Sequence, residues 1–295
     1  MEKVSCSICG SAVSRKYCEI KGFNVVRCCN CGLVYINPRY SREELCKLYG
    51  EDYFKKFSTY RKVDYMKDRQ FRRNDFKTRL KGISRFKKCG KVLDVGCAAG
   101  FFLEVARDNG WDACGVELSD YAASFARNTL KLNVKSGELE GAKFDSNLFD
   151  IVTLFDVIEH VRDPKGLLTE VNRILKYDGL VVITTPNIDS VCARVFKDRF
   201  HLLDPLHLVY FSPKTIKAIL VKEGFKVIKL EYHYFNTAYF NIKELKKLAW
   251  NFMHLKLLYP ALRYFGKNKI ESYQAIRSYS FYGNVMSVYA VKEKK

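Results

Sequence analysis

The chain has 295 residues, 48% of them hydrophobic and 14% aromatic, which excludes global disorder and suits one large domain with an appendage, or two domains. It shows no signal-peptide pattern and no apolar run of about 18 residues, so a cytoplasmic chain without a transmembrane helix is expected. The formal charge of +19 admits RNA, anionic lipid headgroups or phosphorylated small molecules as partners without choosing among them, and a lysine-rich proteome would give the same value.

Eleven cysteines in such a chain argue for metal ligands and buried thiols over disulfides. Cys6-Ser-Ile-Cys9-Gly10 and Cys28-Cys29-Asn30-Cys31-Gly32 form two C-x-x-C pairs about 18 residues apart, the spacing of a four-cysteine zinc site. Each pair ends in glycine, which permits a turn whose backbone N–H groups point at the sulfurs. The expected ligands are Cys6, Cys9, Cys28 and Cys31, with Cys29 spare. Four protein ligands close the coordination shell, so the zinc would be structural, supplying folding free energy to a module of residues 1–37 that is too small for much core.

Residues 38–88 are basic and studded with aromatics, and Ser41-Arg-Glu-Glu44 is a capping-box signature for a helix start. Tyr and Phe at three- and four-residue steps suit helices with one aromatic face. Such helices would pack as a lid on the next domain, or would stack and neutralise nucleic acid.

From residue 89 to 295 strand and helix patterns alternate. Lys91 to Val95 reads as a strand, Gly96 to Gly100 as a small-residue loop, and Phe101 to Arg107 as a helix, the arrangement at the mouth of a nucleotide-binding α/β sheet. Glu117 closes the next strand at the spacing where a carboxylate can bond ribose hydroxyls. Strands are expected at 91–95, 112–117, 132–136, 149–155, 179–185, 225–233 and 284–292. Asp163-Pro164 opens a helix to about Lys176, and Ser212-Pro213 opens another that stops before Gly224. An insertion at about 236–283 carries a basic amphipathic helix at 242–259. It suits contact with a membrane surface, or a role covering the sheet edge or walling a pocket.

Val92-Leu-Asp-Val-Gly-Cys-Ala-Ala-Gly100, Glu117, Phe149-Asp-Ile-Val-Thr-Leu-Phe-Asp-Val-Ile-Glu-His-Val161 and Gly179-Leu-Val-Val-Ile-Thr-Thr-Pro-Asn187 together resemble class I S-adenosylmethionine-dependent methyltransferases. The Cys-rich start and His207-Leu-Val-Tyr-Phe-Ser-Pro213 resemble the zinc-ribbon members found among bacterial and archaeal sugar- and polysaccharide-related methyltransferases. The resemblance implies a Rossmann-like α/β fold: a seven-stranded, mostly parallel sheet with helices on both faces, an antiparallel last strand and a small zinc ribbon. It also implies S-adenosyl-L-methionine as cofactor. Asp94 would hold the ammonium, with the loop from Gly96 to Gly100 taking the carboxylate. Glu117 would bind the ribose, Glu138 (or Leu139) would flank the adenine, and Phe155 would line the methionine portion. Ala98 departs from the usual glycine.

An electrophilic methyl needs mainly an aligned acceptor, and a base only if that acceptor must lose a proton. His207 is the first candidate base and His160 the second, since a neutral imidazole suits proton removal near neutral pH. Alternatively, His160 could cap the helix from Val161 to Lys176 or bond a backbone carbonyl, and His207 could fasten the loop over the pocket. The acceptor implied by the resemblance is a glycan, sugar nucleotide or lipid-linked saccharide. An RNA methyltransferase and a non-enzymatic methyltransferase-like binding protein are the alternatives.

Overall fold

The computed structural model describes residues 1–48, 54, 65–233 and 283–294. The expected insertion, apart from Gly283, and its helix at 242–259 lie outside them. In chain order the strands are β1 (Ser14–Ile20), β2 (Phe23–Cys28), β3 (Val34–Ile36), β4 (Lys91–Val95), β5 (Asp112–Glu117), β6 (Asn133–Ser136), β7 (Phe149–Phe155), β8 (Leu175–Pro186), β9 (Val209–Tyr210), β10 (Phe225–His233) and β11 (Val285–Lys292). The α-helices are α1 (Arg42–Leu48), α2 (Arg69–Ile83), α3 (Phe101–Asp108), α4 (Asp120–Asn128), α5 (Pro164–Ile174), α6 (Val191–Phe196) and α7 (Pro213–Lys222).

The larger sheet has seven strands in the order β10-β11-β8-β7-β4-β5-β6. Strands β4 to β8 are parallel to one another, whereas β11 runs antiparallel to both β8 and β10. Parallel strands covered on both faces read as continuous apolar runs, and Val92, Leu93, Ile151, Val152 and Leu154 are almost wholly buried. From β4 the chain builds outward through β5 and β6, then returns to place β7 on the other side of β4. That reversal makes the carboxyl ends of β4 and β7 a topological switch point, where ligands of open α/β sheets bind.

The expected strands agree with this sheet within one residue at either end, except for β8. It begins at Leu175, where the sequence reading carried the preceding helix to about Lys176 and started the strand at 179. Leu175 is fully buried and pairs with Phe149, while Lys176, Tyr177 and Asp178 are exposed. The polar run therefore disguises a strand that starts on one buried leucine. The helix punctuation is as expected: Asp163 accepts the Gly166 N–H at 3.0 Å, and Ser212 and Thr215 form a reciprocal capping box on α7. At the first helix Ser41 and Glu44 do the same for α1.

Helix α2 lies on α3 as a lid would. Arg69 and Arg73 both reach the buried Glu104 of α3, and Phe76 contacts Phe102 and Phe155. The head is less separate than a module of residues 1–37 implies. Its three strands make a four-stranded sheet with β9, contributed by the segment just after His207. Cys6, Cys28, Leu33 and Tyr35 share one apolar cluster with Leu208, Val209 and Phe211. Among the described residues, no helix is long and apolar enough to cross a membrane.

Candidate active site

A cavity of about 1230 Å³ opens at the switch point. Its floor is the loop from β4 to α3. Gly96 has φ +68° and a Cβ there would stand 2.6 Å from Val157 Cγ2, while Gly100 has φ +78° and its Cβ would meet Leu132 at 2.6 Å. Both positions require glycine on conformation and space together. Asp94, Gly96 and Ala98 line the cavity; Gly100 does not, and instead starts α3. Ala98 has φ +48°, so its departure from glycine is felt as backbone strain, and its N–H donates to Glu117 Oε2 at 2.8 Å.

Asp94 is buried and accepts a hydrogen bond from Thr153 Oγ1 at 2.7 Å. Burial, opposed by Thr153 and the charge of Arg79, pushes its carboxyl up to about 7. A buried acid with a raised pKa beside a cavity is a candidate functional group. Glu117 ends β5 with Oε1 accepting the Ser119 N–H at 2.8 Å and Oε2 that of Ala98. The loop amide and the start of α4 thus fix its orientation. Burial raises its pKa too, against the N–H groups of Ser119, Ala98 and Leu118.

Beyond Glu117, Leu118 lines the cavity yet is 46% exposed, which gives a flat ligand an apolar wall. Glu138 sits on the rim, exposed, its carboxylate bonded to Arg42 at 2.9 Å, while the neighbouring Leu139 is buried. Phe155 also lines the cavity, packed edge-on against Phe102. The sequence reading passed over Arg79 of α2. It spans Asp75 (2.8 Å), Thr184 (2.9 Å) and Asp156 (3.4 Å), with its guanidinium 4.9 Å from the Phe155 ring centroid. Only the packing of α2 brings it there, so nothing local in the sequence signals it.

The two candidate bases are neighbours. The His160 and His207 ring centroids are 4.6 Å apart at 84°, and both line the cavity. His160 Nδ1 bonds the Leu206 carbonyl at 3.0 Å and His207 Nδ1 bonds that of Leu202 at 2.9 Å. A carbonyl only accepts, so each Nδ1 carries the proton and each Nε2 the lone pair. Burial and the neighbouring His207 push His160 down to about 3. His207 is also lowered by burial, with Asp204 opposing. Both rings are therefore neutral near pH 7. Glu159, 1% exposed, lies alongside, and its Oε2 has no hydrogen-bond partner among the described residues; burial and the charge of Asp156 raise its pKa strongly. Glu159, His160 and His207 each place one ligand atom within 4.8 Å of the others, a donor set that a divalent cation could also use.

In the head, one sulfur from each of Cys6, Cys9, Cys28 and Cys31 falls within 4.8 Å of the other three, with Cys6 to Cys31 at 3.3 Å and Cys9 to Cys28 at 3.5 Å. Tetrahedral zinc–thiolate bonds of about 2.3 Å would set sulfurs about 3.8 Å apart, so the four positions fit. Burial raises the Cys28 thiol, but the N–H groups of Cys31 and Asn30 outweigh it and bring the thiol down to about 7. That sulfur favours the thiolate a metal needs, whereas burial raises the Cys6 and Cys31 thiols.

The parallel sheet, the glycine loop and the paired acids define a Rossmann-like methyltransferase domain. A family model described as a methyltransferase domain matches residues 65–230, more than half of the chain. The chain belongs to this methyltransferase-domain family. Similar curated proteins include the ubiquinone biosynthesis O-methyltransferases of Coxiella burnetii, 31% identical over 101 residues (32% of this chain and 43% of that protein), and of Neisseria meningitidis, 32% identical over 136 residues (43% and 55%). The chain spans about half the length of the curated relatives it matches. Among solved structures, an S-adenosylmethionine-dependent methyltransferase from Archaeoglobus fulgidus matches with TM-score 0.52 at 23% identity, over 77% of this chain and 99% of that one. A Thermotoga maritima methyltransferase described as a possible histamine N-methyltransferase matches with TM-score 0.54 at 19% identity, over 78% and 94%. These likenesses establish the shared fold.

Proposed function

We propose that the chain moves the methyl group of S-adenosylmethionine to a hydroxyl of a saccharide-type acceptor: a glycan, a sugar nucleotide or a lipid-linked saccharide. The observation that supports methyl transfer is the shared cavity, which brings Asp94 and Glu117 together with two neutral imidazoles; the saccharide rests on the resemblance of the Cys-rich start and of His207 to Pro213 to sugar-related methyltransferases. When bound, S-adenosylmethionine supplies an electrophilic sulfonium methyl. Asp94 accepts from the donor's ammonium, the amides after Gly96 face its carboxylate, and Glu117 holds the ribose hydroxyls. Leu118 and Leu139 flank the adenine, with Glu138 at its edge and Phe155 beside the methionine portion. His207, through Nε2, takes the acceptor's proton. His160, held at about 3, is too weak a base for that step and instead packs against His207. Cys6, Cys9, Cys28 and Cys31 hold a structural zinc, and the segment 242–259 is the candidate for contact with a membrane surface.

The hydroxyl is supported by the O-methyltransferase names of the curated relatives, which also support a second reading, an acceptor from ubiquinone biosynthesis. Tritiated methyl transfer into a lysate fractionated into RNA, quinone lipids, lipid-linked saccharides and small sugars tests both. Label in a saccharide fraction supports the first reading, label in quinone lipid replaces it with the second, and label in RNA overturns both. Calorimetry with S-adenosylhomocysteine is the prior check, since a native protein that does not bind it is no methyltransferase.

A further inference from the structure

The head is joined to the segment that carries His207, first through a strand pairing. Strand β3 follows directly on the Cys28–Cys31 turn and pairs antiparallel with β9, Val34 opposite Tyr210 and Tyr35 opposite Val209. The Ile36 N–H donates to the Leu208 carbonyl at 3.1 Å, and on the other side the Val209 N–H donates to the Glu159 carbonyl at 3.2 Å. The segment that carries His207 is therefore gripped between the cysteine-bearing hairpin and the turn that carries His160.

A second link runs through Asp204. The Lys21 ammonium, at the tip of the β1–β2 hairpin, donates to Asp204 Oδ2 at 2.9 Å. Asp204 Oδ1 accepts the Leu206 N–H at 3.0 Å, and its carbonyl accepts both the His207 N–H at 2.9 Å and the Tyr210 hydroxyl at 2.8 Å. Asp204 thus shapes the turn on which His207 sits, and a residue of the head holds Asp204. Both Lys21 and Asp204 line the cavity.

We infer that the head is a positioning device for His207: the metal-bound cysteine cluster holds β3, β3 holds β9, and Lys21 holds Asp204, so that the imidazole faces the acceptor in one orientation. Lys21 and Asp204 are positioning residues that act through His207. The inference rests on reading the cluster as a zinc site and His207 as the acceptor-side base, and it assigns the head a role at the acceptor end of the cavity and none at the donor end.

The test uses the full chain with three readouts: bound zinc by metal analysis, S-adenosylhomocysteine affinity by calorimetry, and the rate at which diethylpyrocarbonate modifies His207, resolved by mass spectrometry. The exposed His201 is the internal reference. Lys21→Met should leave zinc content and cofactor affinity unchanged while raising the His207 rate about threefold to fivefold, the scale of a half-exposed ion pair; Lys21→Arg should restore the native rate. Asp204→Asn should raise it likewise. Chelator-stripped protein should show a rise of about tenfold or more, because metal release frees the hairpin, with cofactor affinity kept. A His207 rate unmoved in Lys21→Met and in stripped protein overturns the inference, as does a rise that appears only together with lost cofactor binding. Zinc absent from the native protein sinks the reading beneath it; zinc present with an unmoved His207 sinks the inference alone.

Discussion

Cofactor affinity should fall steeply on acidification, and Asp94 should be the reason. Its carboxyl is pushed up to about 7, chiefly by burial. A bound ammonium favours the ionised form, so binding requires deprotonation and is weakened by the fraction of protein still protonated. With a free-site pKa near 7, that fraction lets affinity drop about 25-fold between about pH 7.5 and about pH 5.5, or about 2 kcal/mol. The ligand's own ammonium stays charged over that window. Calorimetry with S-adenosylhomocysteine across the range, in buffers of matched ionic strength, measures the slope. Asp94→Asn should bind more weakly at neutral pH and lose most of the pH dependence. A flat native profile, or an unchanged slope in Asp94→Asn, would refute the argument that a buried acid at the end of β4 receives the ammonium. The same shift has a stability consequence of opposite sense to the usual carboxylate. Folding disfavours the charged form, so the empty protein should lose stability as pH rises from about 4 to about 7, and the ligand should return it.

Other outcomes follow from the same geometry. Glu117→Gln keeps the shape but removes the charge that accepts hydroxyls, and should weaken S-adenosylhomocysteine binding by about 1.5–3 kcal/mol, read by calorimetry. Gly96→Ala must place a methyl 2.6 Å from Val157 at φ +68°; it should cost about 1–3 kcal/mol in thermal unfolding and abolish cofactor binding. Ala98→Gly should do the reverse, because relief of the left-handed backbone, about 1–2 kcal/mol, exceeds the added chain entropy of about 0.4–1 kcal/mol; a lower melting temperature would contradict it. Cys9→Ser should take bound zinc from about one equivalent to none and lower the melting temperature; unchanged metal content would remove Cys9 from the ligand set.

Much of this architecture was legible in the chain because the signals were local. Asp94, Gly96 and Glu117 stand at strand ends that hydrophobic runs mark out, and the cysteine spacing places four sulfurs together without knowledge of the rest. What escaped was set by tertiary packing. Arg79 reaches Asp156 and Thr184 only because α2 crosses the ends of β7 and β8, and no period in residues 38–88 announces that register. Leu118 was readable in principle, as an apolar residue directly after the ribose acid. Strand β8 was shortened because Lys176-Tyr-Asp-Gly179 reads as a turn, and the buried pairing of Leu175 with Phe149 cannot be seen locally.

The histidines show the same limit more sharply. From the sequence His160 and His207 are rival candidate bases, 47 residues apart, each with a structural alternative. In the fold they touch, and the contact separates their roles. Burial and the neighbouring ring push His160 down to about 3, while burial lowers His207 with Asp204 opposing. Asp204 in turn is held by Lys21 of the head. On the proposed reading, the basicity offered to a hydroxyl acceptor depends on residues as far apart in the chain as Lys21 and His207, which meet at the cavity wall. His207→Gln, which keeps size and hydrogen-bonding capacity, should leave S-adenosylhomocysteine affinity intact and reduce methyl transfer by about 10²–10⁴-fold. Equal transfer in His207→Gln and native protein would mean that the acceptor arrives already deprotonated or needs no base.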